Sequence, residues 1–86
     1  MGETDSMESF DYVSWAVEIE VVVASKKFGP FLSCHEGYAI LKEEVDELWT
    51  EIKTKNRSKQ KMFNEAKQVA AMAMRFMMDL EAGRIK

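Results

Sequence analysis

Acidic side chains recur at helical spacing near the middle of this chain. Glu44 and Glu47 are three residues apart, so on a helix both project toward the same patch, one turn apart. Next to them runs an apolar stripe that comprises Tyr38, Leu41, Val45, Leu48 and Ile52. Acids at the edge of a buried stripe either meet solvent, as on an ordinary solvated helix, or hold a cation. The second alternative predicts a binding site.

The next helical segment offers more oxygen ligands at the same spacing, namely Glu65 and Gln68. If the two helices pack antiparallel through their apolar stripes, Glu44 and Glu47 lie opposite this second pair. Carboxylates this close repel one another, and some stay protonated unless a cation binds. Oxygen ligands suit Mg²⁺ or Mn²⁺, so the pattern predicts a site for one of these ions.

These segments resemble a known family. The run EEVDEL at 43–48 and, after a gap, EAKQVA at 65–70 are similar to the MazG-like all-α nucleoside triphosphate pyrophosphohydrolases, whose mark is ExxE, a variable spacer, then ExxD. The lead-in KKFGPFLSCHEGYAIL also resembles that family, and the similarity covers the second and third helices. Glu44 and Glu47 match the first pair, and Glu65 begins the second. Gln68 stands where the family has aspartate, and a neutral amide is a weaker Mg²⁺ ligand.

The resemblance implies hydrolysis between the α and β phosphates of a (d)NTP, which gives a (d)NMP and pyrophosphate. Glu44, Glu47, Glu65 and Gln68 would hold Mg²⁺, or Mn²⁺ in its place, which neutralises phosphate charge and lowers the pKa of the attacking water. Glu47 or Glu43 would act as the general base.

Phosphate and base contacts are predicted less closely. The cationic candidates for phosphate are Lys53, Lys55, Lys59, Lys61 and Arg75, among which spacing does not choose. Trp15 could stack on a base, although a tryptophan on a helix more often packs against its neighbours. The neutral Gln68 motivates an alternative, a catalytically weak or inactive relative that binds nucleotides or another protein. A third alternative is a helical oligomerisation module whose acids are solvated.

Composition sets the class of protein. The chain has 86 residues, 47% of them hydrophobic and 31% charged, which fits one small soluble domain. No apolar run is long enough to span a membrane, and the acidic N-terminus lacks the features of a secretory signal, so we expect a cytoplasmic protein. A net charge of -3 argues against general nucleic-acid binding. Cys34 and His35 lack the further ligands that a zinc site needs.

Periodicity and capping signals predict three helices after a flexible tail at 1–5, within a single domain at 6–86. The first begins near Ser6 or Met7 and ends before Gly29 and Pro30. Alternation at 17–21 would suit a strand, but the helical pattern is much longer. The second helix runs from a cap at Ser33 to about residue 55. The third starts after Asn56 or Ser58 and stops near residue 82, before a glycine.

The third helix is apolar nearly all round except at Arg75. Two other helices in one short chain can hardly cover such a helix. We therefore predict an all-α fold in which three long helices complete a four-helix-bundle-like core through formation of a homodimer or homotetramer. Ala70, Ala71 and Ala73 would allow close approach there.

Overall fold

The computed structural model describes residues 3–86, with side-chain surroundings described from Met7 onward. Within this range the chain forms three α-helices and no strand: α1 (Glu3–Lys27), α2 (Cys34–Lys53) and α3 (Lys59–Glu81). The predicted all-α class is confirmed, and the alternating run at 17–21 is helical. None of these helices is both long and apolar enough to cross a membrane.

Serine caps fix the starts of α2 and α3: Ser33 as predicted, and Ser58 of the two candidates for α3. Ser33 Oγ accepts a hydrogen bond from the Glu36 N–H at 3.0 Å, and the Glu36 carboxylate in turn accepts from the Leu32 N–H at 3.0 Å. Ser58 Oγ accepts from the Lys61 N–H at 3.2 Å. Each bond satisfies a donor that the first helical turn leaves without a partner.

The helix ends agree with the sequence to within a few residues. Helix α1 begins at Glu3, earlier than the start predicted near Ser6 or Met7. Residues 3–5 of the predicted tail are therefore helical. Residues 1 and 2 lie outside the described residues. Helix α2 ends at Lys53, two residues early, and Gly83 follows α3 with a φ of 73°, which permits the predicted stop.

Helix α3 is the centre of the fold and packs against both α1 and α2. The buried apolar core comprises Val17, Val21 and Ala24 of α1, Phe31 of the connecting loop, Ala71 and Met72 of α3, and Ile85 near the C-terminus. Helices α2 and α3 approach closely at Gly37, where an added Cβ would lie 2.6 Å from the Phe76 ring. The glycine therefore sets the spacing of the two helices at this end.

Buried charges anchor the loop between α1 and α2 to the end of α3. Asp79 accepts hydrogen bonds from the Phe31 N–H at 3.0 Å and from Arg84 Nε at 2.7 Å. The Arg75 guanidinium donates to the Gly29 carbonyl at 2.9 Å. Burial by itself would raise the pKa of Asp79, but these hydrogen bonds and the nearby guanidinium groups lower it below the ordinary value.

Helices α2 and α3 turn polar side chains inward and leave part of their apolar stripes outside. Glu44 is half-buried, whereas Tyr38 and Val45 are exposed, so the expectation of a buried apolar stripe is wrong at these two positions. On α3, Arg75 is buried and Leu80 is exposed. The close contact at Gly37 directs this side of α2 toward α3, which carries the neighbouring carboxylates inward.

Candidate metal centre

Three carboxylates from two helices converge between α2 and α3. Glu44 and Glu47 come from α2 and Glu65 from α3, and one oxygen of each lies within 4.8 Å of the others. The ligand oxygens of one Mg²⁺ lie at most about 4.2 Å apart, so a small closing of these side chains would let one ion contact all three oxygens. The sequence-based prediction that these three residues face one another is confirmed in geometry.

The helix register produces this convergence. Because α2 and α3 run antiparallel, the contact of Gly37 with Phe76 at one end leads, two turns further along α2, to Glu44 and Glu47 opposite Glu65. Ordinary helix spacing thus positions the carboxylates without any irregular backbone.

The electrostatics of the cluster disfavour full ionisation in the absence of a cation. Burial and, to a smaller extent, the proximity of Glu47 and Glu65 together raise the pKa of Glu44 to about 7. Burial also raises the pKa of Glu65, and the proximity of Glu47 and Glu51 raises it further. At neutral pH the cluster therefore holds protons that exposed glutamates would have lost.

One oxygen of the cluster has no partner in the part of the chain that the structure describes. Glu65 Oε2 is shielded from solvent and accepts no hydrogen bond. An unpaired buried acceptor costs about 1–3 kcal/mol, and more when it is charged. A divalent cation would supply the missing partner and would also relieve the repulsion from Glu44 and Glu47.

A cavity of about 730 Å³ adjoins the cluster and lies among all three helices. Glu44 and Gln68 lie on its wall beside the carboxylates, and Lys27 and Arg75 contribute cationic groups. Apolar surface between them comes from Ala24, Phe28, Phe31, Ile40 and Met72. Volumes of this order hold ligands the size of a nucleotide. The cavity therefore combines acidic, apolar and basic regions.

Only some of the other predicted site residues lie at the cavity. Gln68 and Arg75 line the cavity, but Arg75 already donates to the loop carbonyls of Phe28 and Gly29. Glu43 neighbours Glu44 on α2 and is exposed. Among the residues that the structure describes, those lining the cavity do not include Trp15, Lys53 or Lys61.

The positions of these three residues explain their separation from the cavity. Trp15 is exposed on α1 and contacts Tyr12, with ring centroids 6.2 Å apart. Lys53 Nζ lies 6.0 Å from the centroid of the Trp49 ring at the last turn of α2. Lys61 is exposed in the first turn of α3.

Sequence reasoning missed the contribution of α1 and its loop to the cavity. Lys27 ends α1, and Glu20 lies two turns earlier, with Oε1 3.9 Å from Lys67 Nζ. Phe28 and Phe31 flank the Gly29-Pro30 break, and both line the cavity. The run KKFGPF combines cations and aromatics next to a turn, which is the signal that could have pointed to a ligand-binding loop.

Comparison with known protein families, curated proteins and solved structures found no match to this chain. The function is therefore inferred from the residues of the site and from the motif that they form.

Proposed function

We propose that this protein is an Mg²⁺-dependent nucleotide pyrophosphohydrolase of the MazG-like type, which cleaves (d)NTP to (d)NMP and pyrophosphate. The observation that carries the proposal is the convergence of Glu44, Glu47 and Glu65, together with the buried Glu65 Oε2 that has no hydrogen-bond partner among the described residues. The adjacent cavity has the size for a phosphorylated ligand and carries the cationic groups Lys27 and Arg75 on its wall.

Different residues of the site would bind the cation and accept the proton in this reaction. Glu44 and Glu65 would bind the cation from the shielded side of the cluster, and Gln68 would complete the set with a neutral oxygen. When bound, Mg²⁺ supplies neutralisation of phosphate charge and a lower pKa for the attacking water. Glu47 is the exposed member of the cluster, so its carboxylate is accessible to take a proton from that water. Mn²⁺ suits the same oxygen ligands.

Cationic and apolar groups of the cavity would hold the substrate. Lys27 is the better candidate for phosphate oxygens, because Arg75 already donates to carbonyl groups of the loop. Phe28, Phe31 and Met72 offer apolar surface for a nucleoside. Lys53, Lys61 and Trp15 stay candidates only for contacts outside the cavity.

The experiment is incubation of the purified protein with each dNTP and Mg²⁺, with release of pyrophosphate as the readout. We expect turnover that disappears in Glu44→Gln and Glu65→Gln but persists in Glu18→Gln, which makes the same change at an exposed position of α1. Absence of pyrophosphate above background from folded wild-type protein would defeat the proposal.

Gln68 favours a second candidate function, nucleotide binding without efficient turnover, because the amide removes one negative charge from the metal site. This form would show nucleotide-dependent thermal stabilisation of about 2.7 kcal/mol at 100 times Kd, without pyrophosphate release. The variant Gln68→Asp separates the two functions. Activity only in that variant would identify the wild type as the binding form.

We also propose that the working protein is a cytoplasmic homodimer or homotetramer with a four-helix core. The supporting observation is the exposure of large apolar side chains on α2 and α3, among them Tyr38, Trp49 and Met77. A second copy of the chain would remove this surface from water.

A further inference from the structure

Helix α1 brings one more carboxylate to the cavity beside the candidate metal centre. Glu20 lies on the cavity wall together with Glu44 of α2 and Gln68 of α3. Its side chain is only 19% exposed. It does not belong to the cluster of three acids whose oxygens lie within 4.8 Å of one another. Glu20 therefore lies at the edge of the metal centre, on a helix that contributes nothing else to the cluster.

The packing of α1 on α3 places Glu20 at the level of position 68. The two helices run in the same direction, because two contacts between them follow in the same order along both chains. The rings of Tyr12 and Phe63 lie 6.0 Å apart, and further along Glu20 Oε1 lies 3.9 Å from Lys67 Nζ. Lys67 directly precedes Gln68. Glu20 thus approaches α3 at the turn that carries the neutral amide.

This turn of α3 is where the metal centre lacks negative charge. Gln68 lies three residues, or about 4.5 Å along the helix axis, beyond Glu65. The affinity of an oxygen-lined site for a divalent cation depends on how many of its ligands are charged. A carboxylate from another helix, held close to Gln68, would restore the charge without a change in the sequence of α3. Glu20 meets this requirement.

The carboxylate of Glu20 is also the least satisfied among the acids of the cavity wall outside the cluster. The Glu36 carboxylate accepts a hydrogen bond from the Leu32 N–H at 3.0 Å. Glu20 has the ion pair with Lys67 at 3.9 Å, which is longer than a hydrogen bond, and accepts no hydrogen bond from the residues that the structure describes. A long ion pair returns only part of the hydration that a largely buried carboxylate loses. Glu20 can therefore accept hydrogen bonds from a ligand in the cavity.

A bound cation would offer such hydrogen bonds through its water molecules. Mg²⁺ in proteins usually keeps several waters, and carboxylates beyond the direct ligands hold metal-bound groups in place by hydrogen bonds. Because Glu20 lies outside the cluster, water is the natural link between its carboxylate and a cation held by Glu44 and Glu65.

We propose that Glu20 is the fourth acidic group of the metal centre, which accepts hydrogen bonds from water bound to the cation and supplies the charge that Gln68 lacks. This inference rests on the cation binding in the proposed function and extends the site to α1. Lys67 then competes with the cation for Glu20, because the same carboxylate pairs with Lys67 Nζ in the metal-free protein.

Two variants that break the same ion pair should change metal affinity in opposite directions. The probe is Mn²⁺, and its binding at pH 8 is measured by isothermal titration calorimetry. We expect Glu20→Gln to weaken binding about tenfold, as is usual for a carboxylate that acts through metal-bound groups. Lys67→Gln keeps the carboxylate and removes its competitor, so it should strengthen binding. Glu18→Gln, at an exposed position of α1, should leave binding unchanged.

A purely structural role for the ion pair would give a different result. If Glu20 and Lys67 only hold α1 against α3, both variants should weaken Mn²⁺ binding alike, and this outcome would overturn the proposal. If Glu20→Gln fails to fold, weaker binding by Lys67→Gln would still contradict it. A wild type that binds no Mn²⁺ would defeat the proposed function itself, whereas equal binding by wild type and Glu20→Gln would overturn only the role of Glu20.

A double variant tests the link between Glu20 and position 68. In Gln68→Asp the new carboxylate supplies the charge from α3, so Glu20 should matter less. We expect Glu20→Gln to cost much less affinity for Mn²⁺ in the Gln68→Asp protein than in the wild type. An equal cost in both proteins would show that Glu20 does not compensate for the amide and would overturn the proposal.

Discussion

Replacement of Glu44 by glutamine should make the metal-free protein more stable at alkaline pH. Burial, aided by the charges of Glu47 and Glu65, raises the pKa of Glu44 to about 7. At pH values between the ordinary pKa of glutamate and this raised pKa, folded Glu44 keeps a proton that unfolded Glu44 has lost. The free energy of unfolding therefore falls as pH rises from about 4.5 to about 7, and stays lower above that range.

The expected gain follows from that shift. The full change in pKa corresponds to about 3 kcal/mol, and solvent screening at this half-exposed group reduces it to about 1 kcal/mol. For a domain of this size, 1 kcal/mol moves the melting temperature by about 4–8 °C. We expect Glu44→Gln to gain this increase at pH 8 and to gain nothing at pH 4, where Glu44 of the wild type is already protonated.

A divalent cation should make the wild type more stable than Glu44→Gln, which reverses their order in the metal-free state. At 100 times Kd, Mg²⁺ or Mn²⁺ should stabilise the wild type by about 2.7 kcal/mol at pH 8, whereas Glu44→Gln should lose most of this gain. Thermal melts followed by circular dichroism, with Glu18→Gln as the matched control, measure both effects. A metal-free Glu44→Gln that melts below the wild type at pH 8, or an equal metal response in both proteins, would refute this reasoning.

Three further predictions concern the helix contact, the buried aspartate and the cavity. Gly37→Ala should lower the free energy of unfolding by about 1–3 kcal/mol in chemical denaturation, because the new methyl group overlaps a phenylalanine ring, whereas Gly29→Ala, which meets nothing within 4 Å, should show no such packing loss. Asp79→Asn should cost about 1.5–3 kcal/mol. Because the pKa of Asp79 is lowered in the folded protein, the ionised carboxylate stabilises the fold above the ordinary titration range of aspartate, and this stabilisation is lost as pH falls below that range. The melting temperatures of the wild type and Asp79→Asn should therefore converge at acid pH. An equal cost in Asp46→Asn, an exposed position, would contradict the Asp79 reasoning. Lys27→Ala should weaken nucleotide-dependent stabilisation by about tenfold in Kd without a change in metal-free stability, and unaltered nucleotide binding would remove Lys27 from the phosphate site.

The sequence was sufficient to predict the local features of the fold. Ser33 and Ser58 cap their helices because a short side-chain oxygen reaches the free N–H groups of the first turn, a purely local interaction. The three carboxylates converge because residues three apart in the sequence lie on the same face of a regular helix, as Glu44 and Glu47 do opposite Glu65. Both results need only the geometry of single helices and an antiparallel register.

The orientation of the helices could not be predicted in the same way. Helix α2 carries an apolar stripe and an acidic stripe side by side, and polarity alone would bury the apolar one. The structure instead directs Gly37 and Glu44 toward α3 and leaves Tyr38 outside. Periodicity gives no information about a contact between Gly37 and Phe76, which are far apart in sequence. The role of Lys27 in the cavity likewise depends on how α1 crosses α3.

The proposed function depends on the binding of one divalent cation at the cluster of Glu44, Glu47 and Glu65. Equilibrium binding of Mn²⁺ at pH 8, measured by isothermal titration calorimetry on the wild type and on Glu65→Gln, tests it most directly. We expect one Mn²⁺ per chain in the wild type and a large loss of affinity in the variant. A folded wild type that binds no Mn²⁺, or a variant that binds it equally well, would contradict the claim.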